Sequence, residues 1–451
     1  MPNPADQTNP STDRMLFALV ALALGSAFTS GLAMELGGVT VTLAYGVTLA
    51  LLGYLLLYAG LTRRRVAVLF RDDFSFLLYA FVSSNILSSL LLSNDRWYSL
   101  RGCVPLIACL LLYTVIRSGL RLLRQDSGRT VALFTWLNLL SAGTGLACLL
   151  AIVITGRENF GVTLGHLAIG MQTLMGQVPP SIQSLAIEPN LFAIGTGTVL
   201  CISLGKYLLG DRSENKLLWI GLPAIAILFA FTRSVYGGLV IVLLVLMVYA
   251  GQTRAIYRVA MVSAVAVLVF LVVFFSLPDE HPTRKAISER MATLLDFKGG
   301  TGGGRWVGYQ LAWVSYLDHP VLGNGTLSAE TTVYNPYTGE YQERMGAPGW
   351  LTGSGLQALH DTGIVGLLIL LGMFGVLMRK THRLFSKLDK RDPRRGVLLG
   401  FLGGNLLLFI SSQLSSPLWT AFPYVWWAVH MEYLVACHES GPSIHEEPAS
   451  R

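Results

Sequence analysis

Residues 259–285 read VAMVSAVAVLVFLVVFFSLPDEHPTRK. The nineteen residues 259–277 carry no charge, and at Pro278 they give way to the one long polar run of the chain. About 20 consecutive apolar residues are what an α-helix needs to cross a bilayer, so this stretch reads as a membrane span that opens into an aqueous loop. Working outward, apolar windows near 15–34, 38–61, 74–93, 102–116, 130–155, 191–209, 217–232, 236–251, 363–378, 396–413 and 419–436 read the same way. The expected fold is an all-α integral membrane protein of about twelve transmembrane helices, with a long external loop between helices 9 and 10. Composition agrees: the 451 residues are 53% hydrophobic and 13% charged, where soluble domains carry about 25% charge.

Lys and Arg orient such a bundle, because they are retained on the cytoplasmic side. With the N-terminus in the cytoplasm, 23 of the 33 Lys and Arg fall inside and 10 outside, six of these in the long loop, which is exempt from the rule by its length. The chain then divides into a cytoplasmic tail 1–14, helices 1–9 over 15–277, an external loop with short helices over 278–362, helices 10–12 over 363–436 and a cytoplasmic tail 437–451. The run from Met15 is too long for a signal-peptide core and is read as the first helix. The net charge of +7 is carried by these orienting loops, so nucleic acid is not an expected partner. Five cysteines, Cys103, Cys109, Cys148, Cys201 and Cys437, lie in or beside apolar segments without disulfide or zinc spacing; no metal or cofactor is expected. A second external stretch, 156–190, has helix-like apolar spacing over 164–175, closed by Pro179-Pro180, and is read as a short helix at the membrane surface.

Charged and titratable groups on the external side are the candidates for chemistry. Arg233, in Thr232-Arg233-Ser234 between two closely spaced apolar segments, must sit at the lip of the bundle, and its planar fork suits a phosphate or diphosphate; the plain alternative is an arginine reaching to the interface. Arg305 follows Gly299-Gly300-Thr301-Gly302-Gly303-Gly304, a run that can turn backbone N–H groups toward an anion or serve as a hinge. The long loop also holds Arg290, placed with the substrate-binding candidates, and His319, in a His-Pro-x-x-Gly turn that it either shapes or extends toward substrate. His360, three residues before Gly363, can act as a general base for a sugar hydroxyl. Glu188, just before an apolar segment, is either a base or a helix cap.

The order of these motifs resembles the bacterial O-antigen ligase and polymerase superfamily. The resemblance rests on Glu188-Pro189-Asn190-Leu191-Phe192-Ala193, then Thr232-Arg233-Ser234, then Gly304-Arg305-Trp306, Trp313, His319-Pro320-Val321-Leu322-Gly323-Asn324-Gly325 and Leu359-His360-Asp361-Thr362-Gly363-Ile364-Val365-Gly366. It implies a metal-independent, inverting inner-membrane glycosyltransferase with its active site facing the periplasm. The donor would be an undecaprenyl-diphosphate-linked glycan, the acceptor a second glycan or lipid A-core, and membrane lipid and a chain-length regulator further partners. Arg233 and Arg305 would grip the diphosphate, and a loop base would activate the acceptor. Eleven residues before Gly363, where the ligase branch carries a histidine, stands Thr352 followed by Gly353; only His360 can substitute, which tilts the expectation from ligase to repeat-unit polymerase. A transporter, the remaining alternative for twelve spans, is disfavoured because no repeated halves are visible and 62–73 lacks the Gly-x-x-x-Asp-Arg pattern of a large carrier superfamily.

Overall fold

The computed structural model describes residues 10–29, 33–36, 39–62, 71–123, 127–155, 161–164, 167–172, 181–182, 184–186, 188–211, 215–230, 232–252, 276, 300–329, 332–335, 340–343, 351 and 353–439. Apart from Ser276, the expected span 259–277 lies outside them, as do Arg290 and Thr352. The chain forms α1 (Pro10–Ser26), α2 (Leu43–Thr62), α3 (Asp73–Leu91), α4 (Arg96–Leu123), α5 (Ser127–Thr155) and α6 (Pro189–Leu208). A π-helical turn (Leu217–Gly221) leads into α7 (Leu222–Leu228), followed by α8 (Arg233–Tyr249), α9 (Gly300–Asp318), α10 (Ser354–Lys387), α11 (Arg394–Ser412) and α12 (Ala421–Glu439). Seven of these helices are long and apolar enough to cross a membrane, and three shorter apolar helices accompany them among the described residues. The fold is that of an all-α membrane protein, with strands confined to short pieces of the connections.

Helices α6 and α11 form the centre. The apolar window of each is 78% buried, against 28% for α2 at the periphery. They run antiparallel and touch backbone to backbone, because Gly205 faces Gly396 and Gly400, and any Cβ there would strike the opposing main chain. Small residues at four-residue spacing (Gly396, Gly400, Gly404) do in lipid what hydrophobic burial cannot, since lipid tails are as apolar as leucine and only close packing favours association. A polar pin fastens α12 to this pair. Trp426 Nε1 donates to Asn405 Oδ1 (2.9 Å), which turns the Asn405 amide nitrogen toward His430 Nδ1 (3.0 Å). His430 Nδ1 is thereby an acceptor, and Nε2–H donates to Thr381 Oγ1 (2.9 Å) on α10.

The end of the bundle where α4 and α12 finish carries an ionic anchor. Buried Arg117 reaches Glu432 (2.6 Å), Asp72 (2.8 Å) and the Tyr113 hydroxyl (2.7 Å), while Arg121 joins Glu432 at 3.0 Å. Asp72 also caps α3 through the Ser75 N–H (3.0 Å). Burial works against its charge, yet the Arg117 guanidinium outweighs that and holds the carboxyl below its ordinary value.

Two expectations from sequence are corrected, and a third is refined. The short helix over 164–175 is instead an antiparallel hairpin, β3 (Gly161–Leu164) with β4 (Leu167–Gln172), in keeping with the β-branched residues Val162, Thr163 and Ile169. The first helix stops at Ser26, and Ala33–Leu36 pairs with Val39–Thr42 as a strand; Thr29-Ser30-Gly31 interrupts the apolar window there with residues that favour turns over helix. The apolar helix does start at Gly363, as expected, but the short helical segment before it, from Ser354, abuts it directly across a break at Gly363, and the two together form α10. The polar residues Ser354, Gln357, His360 and Asp361 lie in the segment before the break and are helical although not apolar, because their side chains face protein rather than lipid.

Candidate functional site

Helix α10 is broken at Gly363, whose φ of 65° and ψ of −162° lie outside helical space and suit a residue without Cβ. A break frees backbone groups that must be satisfied by other means. The loop 319–325 supplies the partners: Ile364 N–H donates to Pro320 O (2.9 Å) and Val365 N–H to Val321 O (3.4 Å). In the other direction Asn324 N–H donates to His360 O (2.8 Å), and Gly325 N–H to Asp361 O (3.1 Å). The Ser88 hydroxyl on α3 also donates to Asp361 O (2.6 Å). Gly323, at φ 74°, brings its backbone against Asp361 where a side chain would collide. The His-Pro-x-x-Gly-Asn-Gly motif is thus the plug that fills the broken helix.

Behind the plug, Thr326 N–H donates to Ser89 Oγ (3.0 Å) and Thr326 Oγ1 to Asn85 Oδ1 (2.9 Å), while Ser99 Oγ donates to Thr326 O (2.8 Å). These buried bonds tie the loop to the ends of α3 and α4. The site therefore sits at the end of the bundle opposite the Arg117 anchor.

At the break the side chains form one hydrogen-bonded line. Asp361 is fully buried and surrounded by donors: Gln357 Nε2 at 2.8 and 2.9 Å, Leu327 N–H at 3.2 Å and His360 Nδ1 at 2.8 Å. The Gln357 orientation is fixed because its Oε1 accepts the Leu351 N–H. Gln357 Nε2 and the Leu327 N–H donate to both carboxylate oxygens of Asp361, and the tautomer that matches this acceptor carries its proton on His360 Nδ1. His360 Nε2 is then left with its lone pair, and it accepts from the Ser315 hydroxyl on α9 at 3.1 Å. The Ser315–His360–Asp361 line has the order of hydroxyl, base and orienting carboxylate that activates a hydroxyl for nucleophilic attack. Asn324 steadies it from the side, its Nδ2 donating to Ser315 O (2.9 Å) and its Oδ1 accepting from His319 Nδ1 (2.9 Å). A cavity of about 430 Å³ opens beside it, lined among others by Ser315, His319, Asn324, His360, Asp95 and Tyr98.

Of the residues singled out from sequence, His360 and His319 meet at this cavity. Arg233 is exposed at the start of α8 and Glu188 is exposed at the start of α6. Both helices begin at the site's end of the bundle: Gly238 packs on Ser411 and Gly197 on Leu407 of α11, whose C-terminal extension holds the start of α10 through Ser354 N–H to Ser415 O (3.1 Å). Glu188 occupies the N-cap position of α6, its carbonyl accepting the Phe192 N–H (3.1 Å), but its side chain makes no capping hydrogen bond, so the cap reading is corrected to the backbone alone. Arg305 lies in α9, ten residues before Ser315. Asp361, Gln357, Ser315 and Asn324 were not assigned roles from sequence; the signal for the first two was Gln357-x-x-His360-Asp361, which places amide, imidazole and carboxylate within one helical turn. Among the described residues no group of three His, Cys, Asp or Glu is placed to hold a metal ion.

Residues 218–371 match the family model described as O-antigen ligase, a stretch that begins before α7 and ends just beyond the break in α10. No curated protein matches the chain.

Proposed function

From a membrane-spanning chain that carries an O-antigen ligase domain, we propose a glycosyltransferase that extends an undecaprenyl-diphosphate-linked polysaccharide at the periplasmic face of the inner membrane. The observation that carries this reading is the Ser315–His360–Asp361 line opening on the cavity at the broken helix. In the reaction, the acceptor sugar hydroxyl takes the place of Ser315 at His360 Nε2. As its oxygen attacks the anomeric carbon, the O–H proton passes to Nε2 and the bond from that carbon to the diphosphate oxygen breaks, its electron pair leaving with the diphosphate. One displacement of this kind inverts the anomeric centre. Asp361 keeps Nδ1–H in place and stabilises the imidazolium that forms, as the orienting carboxylate does in hydrolytic triads. Arg233 and Arg305, both in the matched stretch, are assigned to the departing diphosphate, whose charge a guanidinium fork can bind bidentately.

The family description favours a second reading, in which finished glycan is moved onto lipid A-core or a protein hydroxyl by the same chemistry. An endpoint assay of purified protein with undecaprenyl-diphosphate-linked repeat unit, with and without lipid A-core, separates the two. Ladders without added acceptor identify a polymerase, and product only with lipid A-core identifies a ligase. Unconsumed donor under both conditions defeats the glycosyltransferase reading.

A further inference from the structure

The two reacting ends of the proposed transfer differ in charge, a diphosphate at the donor's anomeric carbon and a sugar hydroxyl at the acceptor's terminus, and the protein offers a distinct cavity beside the base. Of the arginines assigned to the donor, Arg233 does not line the 430 Å³ cavity. Among its described wall residues there is no Lys or Arg, but there are two carboxylates, Asp95 from the α3–α4 corner and Asp318 from the last turn of α9. Asp95 is held in place by accepting the Tyr98 N–H at 2.9 Å, which leaves carboxylate capacity directed away from the helix. Tyr98, 43% exposed, brings an aromatic ring to the same wall. Asn324 and His319 complete the polar side, and the almost wholly buried His360 marks where the reacting hydroxyl must arrive.

Carboxylates accept hydrogen bonds from sugar hydroxyls and repel phosphate, and an aromatic ring offers a face to the C–H side of a pyranose. The volume falls in the range of about 300–1,000 Å³ usual for small-ligand pockets, enough for a short stretch of glycan. We propose that this cavity is the acceptor subsite, and that its two carboxylates select a neutral or amino-sugar terminus over a phosphorylated one. The inference rests on His360 as the base of the transfer, and it adds an acceptor class that the family match leaves open.

The test uses the full-length protein in lipid nanodiscs and lipid-linked glycan purified from a strain lacking it, serving as donor and as acceptor. Lipid A-core from the same strain, with its phosphates intact or removed by hydrofluoric acid, competes as the alternative acceptor. The expected result is transfer to unphosphorylated acceptors in preference to phosphorylated core. Asp95→Asn and Asp318→Asn are expected to raise the acceptor KM about tenfold each, the order expected for a lost hydrogen bond to a charged group. Asp318→Lys is expected to narrow or reverse the discrimination against phosphate. Preference for phosphorylated core by the unaltered protein, or acceptor KM unmoved by both Asn variants, overturns the subsite. His360→Ala with full transfer rate overturns instead the reading on which it rests. Both carboxylates are on the surface of the wall, and Asp95→Asn retains the capping oxygen, so folding is preserved in the variants that decide the matter.

Discussion

His360 shows how a titratable side chain gains a role from its two neighbours. Asp361 on Nδ1 fixes the tautomer, and Ser315 on Nε2 marks the direction in which a proton can be taken. His360→Ala should lower kcat by about 10²–10⁴-fold, the usual worth of a positioned general base, with the elution profile and melting temperature of the protein retained. Asp361→Asn should also lower kcat, since an amide can present its N–H to Nδ1 and reverse the tautomer; the rate of ladder formation measures both. Asp72 carries a prediction of a different sort. Its carboxyl is held below the ordinary value despite burial, by the charge of Arg117. A depressed folded pKa contributes stability that is fully present above the unfolded value and is lost as pH falls through the folded one. The melting temperature of Asp72→Asn should therefore lie below that of the unaltered protein at pH 7, with the gap closing as pH is lowered through about 4 and below. A constant gap across that range would separate Asp72 from the ionic anchor.

At the scale of elements, α10 and the loop 319–325 act as one part. The helix is broken at Gly363, and the loop's backbone takes over the hydrogen bonds the helix gives up. Gly363→Ala combines a left-handed φ with a Cβ directed into the Val321 carbonyl, and should reduce folded yield in membranes together with activity. Gly375 is in the same helix with open space around it, so Gly375→Ala should be neutral or stabilising by about 0.5–1 kcal/mol, the helix-propensity difference between the two residues. Folded yield and thermal stability of the pair in detergent distinguish a position that needs glycine from one that merely has it.

Across the whole molecule, the two ends of the bundle have opposite chemical characters. One has the buried Arg117 and the exposed Arg121 with Asp72 and Glu432, and the other has the broken helix, its plug and the cavity. From the count of Lys and Arg, the first end is expected to face the cytoplasm. In single-cysteine proteins, Asp318→Cys should react with a membrane-impermeant maleimide in intact cells, whereas Lys390→Cys should react only after the inner membrane is opened. The reverse pattern would invert the topology and move the site to the cytoplasmic face. The central packing of α6 on α11 gives this frame its rigidity, through glycines whose contacts leave no room for a Cβ.

The sequence by itself determined that this is a helical membrane protein, because uninterrupted apolar windows of span length have few other uses and need no knowledge of their partners. It also singled out His360 and the motif 319–325 within one polar run, without showing what brings them together. What only the tertiary structure decided is that residues from Ser354 onward are already helical, that Gly363 breaks the helix they begin, and that the loop 319–325 fills the break. Hydropathy averages over a window and so ends a helix wherever polar residues cluster, whether they face water or a protein interior. Ser315 and Asp361 are 46 residues apart in the chain, and their shared hold on His360 depends on the packing of α9 against α10, a contact that local sequence pattern does not encode.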